Sequence, residues 1–415
     1  MPINHVHHLH RPIFVAATRQ HVGKTSVSLA LAAGLQKRFD RIGFVKPVGQ
    51  QHLIVQSQED GSDVRVDKDV KLVREHFKLN HLDYKHMSPV IIPPGYTRDY
   101  IDGKVSRHDQ LRSIHSAYNA QAKVSDMMLL EGTGHIGVGS CVNANNAQVA
   151  AMVGADMVLV ANGGLGSAFD ELDLNYNMCK SNGVRIAGVV INKVKHDKIE
   201  QTRKYMSALL KNNWGVPLLG VVPDKPFLGC PALADLERLF NTELLSGHEH
   251  RMRHYNVDGI NLVTTSLGRF LENLRVKPTR TMYVTHVTRN DIVLGFLAEH
   301  QRRMAEGRSF ESALVLCGRK GRYDLFPEIK DMIETLHAPV LHVTDSTYKA
   351  MESMQFFTPK LNIEDTSRVD QAVSHYEPHI DFDLLLHRTS KARSSFDEPT
   401  IKRTSFDEPG WGRSG

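Results

Sequence analysis

The stretch FVAATRQHVGKTSVSLALA, Phe14 to Ala32, decides the fold. An apolar strand runs through a short polar loop into Gly23-Lys24-Thr25-Ser26, and an apolar helical pattern follows. That order of strand, loop and helix is the pattern of a phosphate-binding loop. Backbone N–H groups at a helix N-terminus face an anion, a lysine reaches the β- and γ-phosphates, and a threonine hydroxyl ligates Mg²⁺. Val22, Gly23, Lys24, Thr25 and Ser26 are therefore the candidate nucleotide-binding residues. One position departs from the usual pattern: where such loops open with glycine this chain has Thr18, after Ala17.

The 415 residues are 41% hydrophobic and 23% charged, enough for roughly two or three domains with sizeable cores. No apolar run approaches the roughly 20 residues that span a bilayer, so no membrane partner is expected. The opening MPINHVHHLHRPIF lacks the apolar core of a secretory signal and is not the Arg- and Ser-rich type of a transit peptide. The expected address is cytoplasmic. Cys141, Cys179, Cys230 and Cys317 form no CxxC pair, so they read as buried thiols and not as a disulfide framework or zinc site. The net charge of +5 comes without basic clusters interleaved with aromatics, which leaves nucleic-acid binding without support. His5, His7, His8 and His10 read as a flexible tail, with metal binding the alternative.

From the loop onward, β-branched runs alternate with helical patterns, the signature of a parallel sheet covered on both faces. Strands are expected at 13–17, 41–47, 126–131, 157–161, 186–192 and 218–222, with helices at 25–38, 146–153, 169–182 and 198–213. Ligands in such sheets bind outside the carboxyl ends of the strands. Those ends carry Lys46-Pro47-Val48, Glu131-Gly132-Thr133-Gly134 and Ile191-Asn192-Lys193. Glu131 suits a hard cation, the glycines allow close backbone approach, and Asn192 offers donor and acceptor to a purine edge. Lys46 as a solvated strand end and Asn192 as a turn former are the bland alternatives.

These residues resemble dethiobiotin synthetase and its relatives, which share a VGKT loop, a KPV segment, an EG(A/T)G segment and an asparagine after a late strand. The resemblance runs from about Pro12 to Asp224. It implies that Lys24 and Thr25 hold the phosphates and Mg²⁺ of ATP and that Lys46 reaches the reacting phosphoryl region. It further implies that Asp63 and Glu131 share the metal and that Asn192 contacts adenine. Glu59, Asp60 and Asp67 stand near Asp63 as competitors for its part.

Cys230 to about His387 is similar to the DRTGG domain that follows a dethiobiotin synthetase-like domain in the N-terminal half of long bacterial phosphate acetyltransferases. Read from the residues alone, Met282–Val287 is a strand that turns into the helix Ile292–Ala298, and strands recur at 313–317 and 339–343. The turn departs from the family in reading Thr288-Arg289-Asn290-Asp291, and Cys317-Gly318-Arg319 replaces a Thr-Gly-Gly run. The expected organisation is a flexible N-terminus over 1–11, a P-loop NTPase-type parallel α/β domain over 12–225, and a smaller α/β domain over 230–387. A disordered tail follows over 388–415. The resemblance implies a further large domain for acetyl transfer, which these residues do not contain. The tail repeats Ser-Phe-Asp-Glu-Pro at 395–399 and 405–409, which reads as a bivalent motif for a protein partner or as idle solvated chain.

Three functional readings stay open. The preferred one is an ATP- and Mg²⁺-binding regulatory or sensory protein, resembling the regulatory half of phosphate acetyltransferase and forming a homo-oligomer. The second is an ATP-dependent ligase similar to dethiobiotin synthetase, acting on an unidentified small acid. The third is a partition-type dimerising ATPase, because Arg19 occupies the place where that class carries a second lysine.

Overall fold

The computed structural model describes residues 9–256, 259–276, 279–319 and 325–391. The chain divides into two compact units, Met1–Asp224 with Leu361–Gly415, and Lys225–Lys360.

The first unit opens with β1 (Ile13–Ala17), a run of apolar residues buried on both faces, followed by α1 (Lys24–Gln36). Then come β2 (Ile42–Val45), the short β3 (Val48–Gly49), a hairpin of β4 (His52–Gln56) with β5 (Asp63–Asp67), and α2 (Lys68–His76). Next are β6 (Val90–Ile91), α3 (Tyr96–Ile101), α4 (Arg107–Ala122), β7 (Met127–His135), α5 (Asn146–Val153), β8 (Asp156–Asn162), α6 (Gly166–Ser181), β9 (Ile186–Val194), α7 (Ile199–Trp214) and β10 (Leu218–Pro223). The main sheet runs β10-β9-β8-β1-β7-β2, parallel throughout. All six main-sheet strands coincide with the expected ones to within a few residues, because continuous Val/Ile/Leu runs between helical periodicities have few other folded solutions.

The second unit is a separate three-layer α/β body. It contains α8 (Leu233–Phe240), β11 (Leu244–Ser246), β12 (Ile260–Leu262), α9 (Leu267–Val276), β13 (Met282–His286), α10 (Asn290–Ala305), β14 (Ala313–Cys317), α11 (Pro327–Leu336), β15 (Val340–Val343) and α12 (Thr347–Gln355). Its sheet order is β11-β15-β14-β13-β12, with only β11 antiparallel. Phe270, Phe296 and Ile333 fill one face from α9, α10 and α11, while Leu233, Leu236 and Met354 fill the other from α8 and α12. The turn before α10 is closed by Arg289, whose guanidinium holds Asp291 through two bonds of 2.8 Å.

The chain then returns to the first unit as an arm of α13 (Thr366–Tyr376) and α14 (Phe382–Thr389). The smaller unit therefore ends at Lys360 and not at 387. The reason is packing against α1, whose residues Ser26 to Leu35 are all buried. A helix apolar all round needs cover on both sides, and the sheet supplies one side only. Helix α13 lies along α1, and Phe382 of α14 fills the space at Gly34, where a Cβ would stand 2.0 Å from its ring. Asp381 N–H donates to Leu219 O at 2.8 Å, tying the arm to β10.

The arm also orders both ends of the expected flexible segments. Arg11 N–H donates to Thr389 O (2.8 Å) and Lys391 N–H to Leu9 O (3.0 Å), so residues 9–11 and 388–391 are paired, contrary to the expected boundaries. His10 sits edge-on to Phe39. His5, His7, His8 and the Ser-Phe-Asp-Glu-Pro repeat lie outside the described residues. Cys179, Cys230 and Cys317 are buried, as expected, but Cys141 is exposed. Among the described residues no helix is long and apolar enough to cross a membrane.

If the arm is part of this core, Phe382→Ala in the full chain lowers the unfolding free energy by about 3–5 kcal/mol, the usual cost of emptying a buried phenylalanine site. Urea denaturation reads this, and a loss under about 1 kcal/mol would show that the arm contributes little.

Candidate functional site

The loop after β1 is held from two sides. Thr18 N–H donates to Val160 O of β8 at 2.9 Å, and its hydroxyl to Glu171 of α6 at 3.0 Å. Thr18 is not among the residues with positive φ, so its position makes no demand for glycine. The left-handed residues of the loop are His21 (φ 60) and Gly23 (φ 91). A Cβ on Gly23 would stand 2.2 Å from Asn192 Nδ2. His21 costs of order 1–3 kcal/mol in that conformation and must be held there by its surroundings.

The end of β9 does the holding. Asn192 Nδ2 donates to Val22 O and Lys193 Nζ to His21 O, each at 2.7 Å. Asn192 Oδ1 accepts from Lys193 N–H at 2.7 Å, and Lys193 itself is left-handed (φ 55). Consecutive residues of β9 thus take consecutive carbonyls of the loop. Among the described residues the amides of Arg19 to Gly23 have no backbone acceptor, which makes the loop a row of donors at a helix N-terminus. Burial lowers the Lys193 ammonium pKa from its ordinary value, with Asp224 opposing and Arg19 adding to the shift. Asn192 is wholly buried, so its amide braces the loop and does not present the open face expected for adenine.

Glu131 stands beside the loop because β7 is adjacent to β1 and bulged. Val15 pairs with Glu131, but Ala17 pairs with His135, so Gly132-Thr133-Gly134 loops out of the ladder. Gly134 is left-handed (φ 60), and a Cβ on Gly132 would stand 2.6 Å from Asn146 Oδ1. Asn146 fixes the bulge by donating to Thr133 O (2.9 Å) and His135 O (2.7 Å), and the Thr133 hydroxyl donates to Val48 O. Lys24 Nζ forms an ion pair with Glu131 Oε1, and the Thr25 hydroxyl donates to the same oxygen at 3.1 Å. Glu131 is fully buried, and among the described residues its Oε2 has no hydrogen-bond partner. An unpaired buried carboxylate oxygen is costly, and a hard cation is the partner its chemistry fits.

Lys46, at the end of β2, is buried between carboxylates. Its Nζ donates to Asp67 Oδ1 at 2.8 Å and pairs with Asp69. Burial alone would depress the Lys46 pKa, but Asp69, Glu131 and Asp67 outweigh it and hold the ammonium above the ordinary lysine value. Burial likewise works to raise Asp69, and Lys46 and Lys24 overcome it, holding its pKa below the carboxylate range. The ion-paired set is three carboxylates, Asp67, Asp69 and Glu131, against two ammonium groups, Lys24 and Lys46. Among the described residues no group of three or more His, Cys, Asp or Glu is placed as a metal cage.

Asp63 does not join this set. It is exposed at the start of β5, opposite Gln56, while Asp67 at the other end of that strand is buried and caps α2. Spacing along one sequence could not count the register of the β4–β5 hairpin. The signal that was available is Lys46 itself, since a buried lysine requires carboxylates nearby.

Residues 11–232, more than half of the chain, match the AAA_26 family, described as an AAA domain. Phosphate acetyltransferase of Nitratidesulfovibrio vulgaris is 25% identical over 398 residues, covering 94% of this chain and 53% of its own length. That of Escherichia coli K12 is 22% identical over 414 residues, covering 93% and 54%. The chain spans about half the length of the curated relatives it matches. The solved MinC:MinD cell division protein complex of Aquifex aeolicus aligns with a TM-score of 0.32 and 13% identity, over 52% of this chain and 83% of that chain.

The buried charges set a pH profile. A depressed Asp69 adds stability above about pH 3.9 that is lost as pH falls further, and a raised Lys46 adds stability below about pH 10.4 that is lost as pH rises through its folded value. The stability contributed by these two groups is therefore flat between about pH 5 and 9. Asp69→Asn should cost about 3 kcal/mol at neutral pH, the lower end for a broken buried pair because Asp67 stays on Lys46. It should also flatten the acid limb, and an unchanged limb in denaturation from pH 3 to 7 would remove Asp69 from the account.

Proposed function

We propose that this chain, which belongs to the AAA_26 family of AAA domains, binds ATP with Mg²⁺ at the loop Gly23–Ser26 and that occupancy of this site serves a regulatory or sensory role. The observation that carries the reading is the meeting of Lys24 and Thr25 on one oxygen of Glu131 while, among the described residues, its other oxygen has no hydrogen-bond partner and the loop amides have no backbone acceptor. In this reading the loop amides and Lys24 take the phosphates, and Thr25 and Glu131 take the metal. The ion would supply charge neutralisation for the phosphate oxygens.

Occupancy is favoured over phosphoryl transfer by Lys46, which is enclosed by Asp67 and Asp69. The ligase reading, similar to dethiobiotin synthetase, needs Lys46 released from both. The partition-type reading needs Arg19 released from Glu171, which lies 3.6 Å away on its own chain. The curated relatives that align with the chain are phosphate acetyltransferases, over about half their length. We assign it the role of a regulatory half of such an enzyme, with the second unit as a DRTGG-like sensing module.

ATP with Mg²⁺ at about 100 times its Kd should stabilise the protein by about 2.7 kcal/mol, read as a rise in melting temperature, and Lys24→Ala should abolish the rise. Glu131→Gln should retain part of the rise and lose its dependence on Mg²⁺. A wild-type midpoint unmoved by millimolar ATP with Mg²⁺ overturns the reading.

A further inference from the structure

Helix α13 brings a residue to the loop from far beyond the segment, 11–232, that matches the family. Tyr376 is 4% exposed, and its hydroxyl stands 3.4 Å from where a Cβ on Gly23 would be. Asn192 and Ser26 are the polar side chains that face its hydroxyl. Asn192 is the residue that takes Val22 O, and Ser26 lies in the first turn of α1. The hydroxyl and the Asn192 amide therefore meet the same face of Gly23, where the loop enters α1.

The helix that carries Tyr376 is anchored on its own account. His375 Nε2 is 2.9 Å from Pro223 O, Lys37 Nζ donates to Glu377 at 2.5 Å, and Phe382 fills the site at Gly34. Burial raises the Tyr376 pKa, with Asn192 and Ser26 working against the rise, so the phenol keeps its proton at neutral pH. A buried phenol with a proton to donate, on a fixed helix, makes a rigid stop for the loop.

We propose that Tyr376 is a positioning residue of the nucleotide site, holding the loop in its anion-binding form through Asn192 and Ser26, so that the site is incomplete without the C-terminal arm. The proposal deepens the nucleotide reading and rests on it for the identity of the ligand. Its physical content is pre-organisation: a loop already held pays less to order around phosphates. The strained residues His21 and Lys193 need such support from outside the loop.

The test uses the full chain with Tyr376→Phe, which removes only the hydroxyl, and Tyr84→Phe as a control that loses a similar hydroxyl bond to Glu75 at 3.1 Å, away from the loop. Two readouts are taken: titration calorimetry with ATP·Mg²⁺, and hydrogen exchange of the segment 14–32 without nucleotide. Tyr376→Phe should weaken ATP·Mg²⁺ about tenfold, which corresponds to about 1.4 kcal/mol, and should speed exchange of the loop amides. Tyr84→Phe should leave both as in the wild type whatever it does to the melting temperature. Binding within about twofold of the wild type, or loop exchange unchanged, overturns the proposal. If the wild type itself fails to bind ATP·Mg²⁺, the nucleotide reading falls, and loop exchange alone decides whether Tyr376 positions the loop.

Discussion

The ion pair between Lys24 and Glu131 is the contact on which the rest of the first unit is arranged. It requires β7 to lie beside β1, the bulge after Glu131 to bring its carboxylate level with the loop, and Gly23 to let the chain turn into α1. Each of these has a second consequence. The bulge needs Gly132 and Gly134 and is fixed by Asn146. The turn at Gly23 leaves room for Asn192, which then takes Val22 O. A carboxylate this deeply buried would be a liability in a purely structural core, and among the described residues one of its oxygens has no hydrogen-bond partner.

Electrostatics explains the neighbouring choice of residues. Lys46 is driven into the interior only because Asp67 and Asp69 meet it there, and their positions depend on the hairpin that carries the chain from β3 back to α2. Among the described residues the second oxygen of Glu131 has no hydrogen-bond partner and calls for a cation, and the loop amides are positive in sense. A ligand that brings anionic phosphates together with a cation satisfies both, whereas either ion alone satisfies one.

The arm supplies what the family segment lacks. Helix α1 carries Val27, Leu29, Ala30, Leu31, Ala32 and Leu35 on all its faces, a pattern that no single sheet face can bury. In the structure α13 and α14 close the other side. The second unit is therefore inserted within the chain of the first, between β10 and the arm.

Taken by itself, the sequence determined the parallel α/β class, the six strands of the main sheet, the loop at Gly23–Ser26 and the convergence of Glu131 on it. These follow from local periodicity and from side-chain chemistry at strand ends, which act over short spans of chain. It also contained a hint that went beyond local reading, the apolar circumference of α1. Only the tertiary structure decided that Asp67 and Asp69, and not Asp63, pair with Lys46, that Asn192 braces the loop, and that the arm belongs to the first unit. Those outcomes depend on hairpin register, on how deeply a strand end is covered, and on contacts between residues hundreds of positions apart. Periodicity carries no information about any of them, because the same pattern of polar and apolar residues is compatible with several partners until the packing selects one.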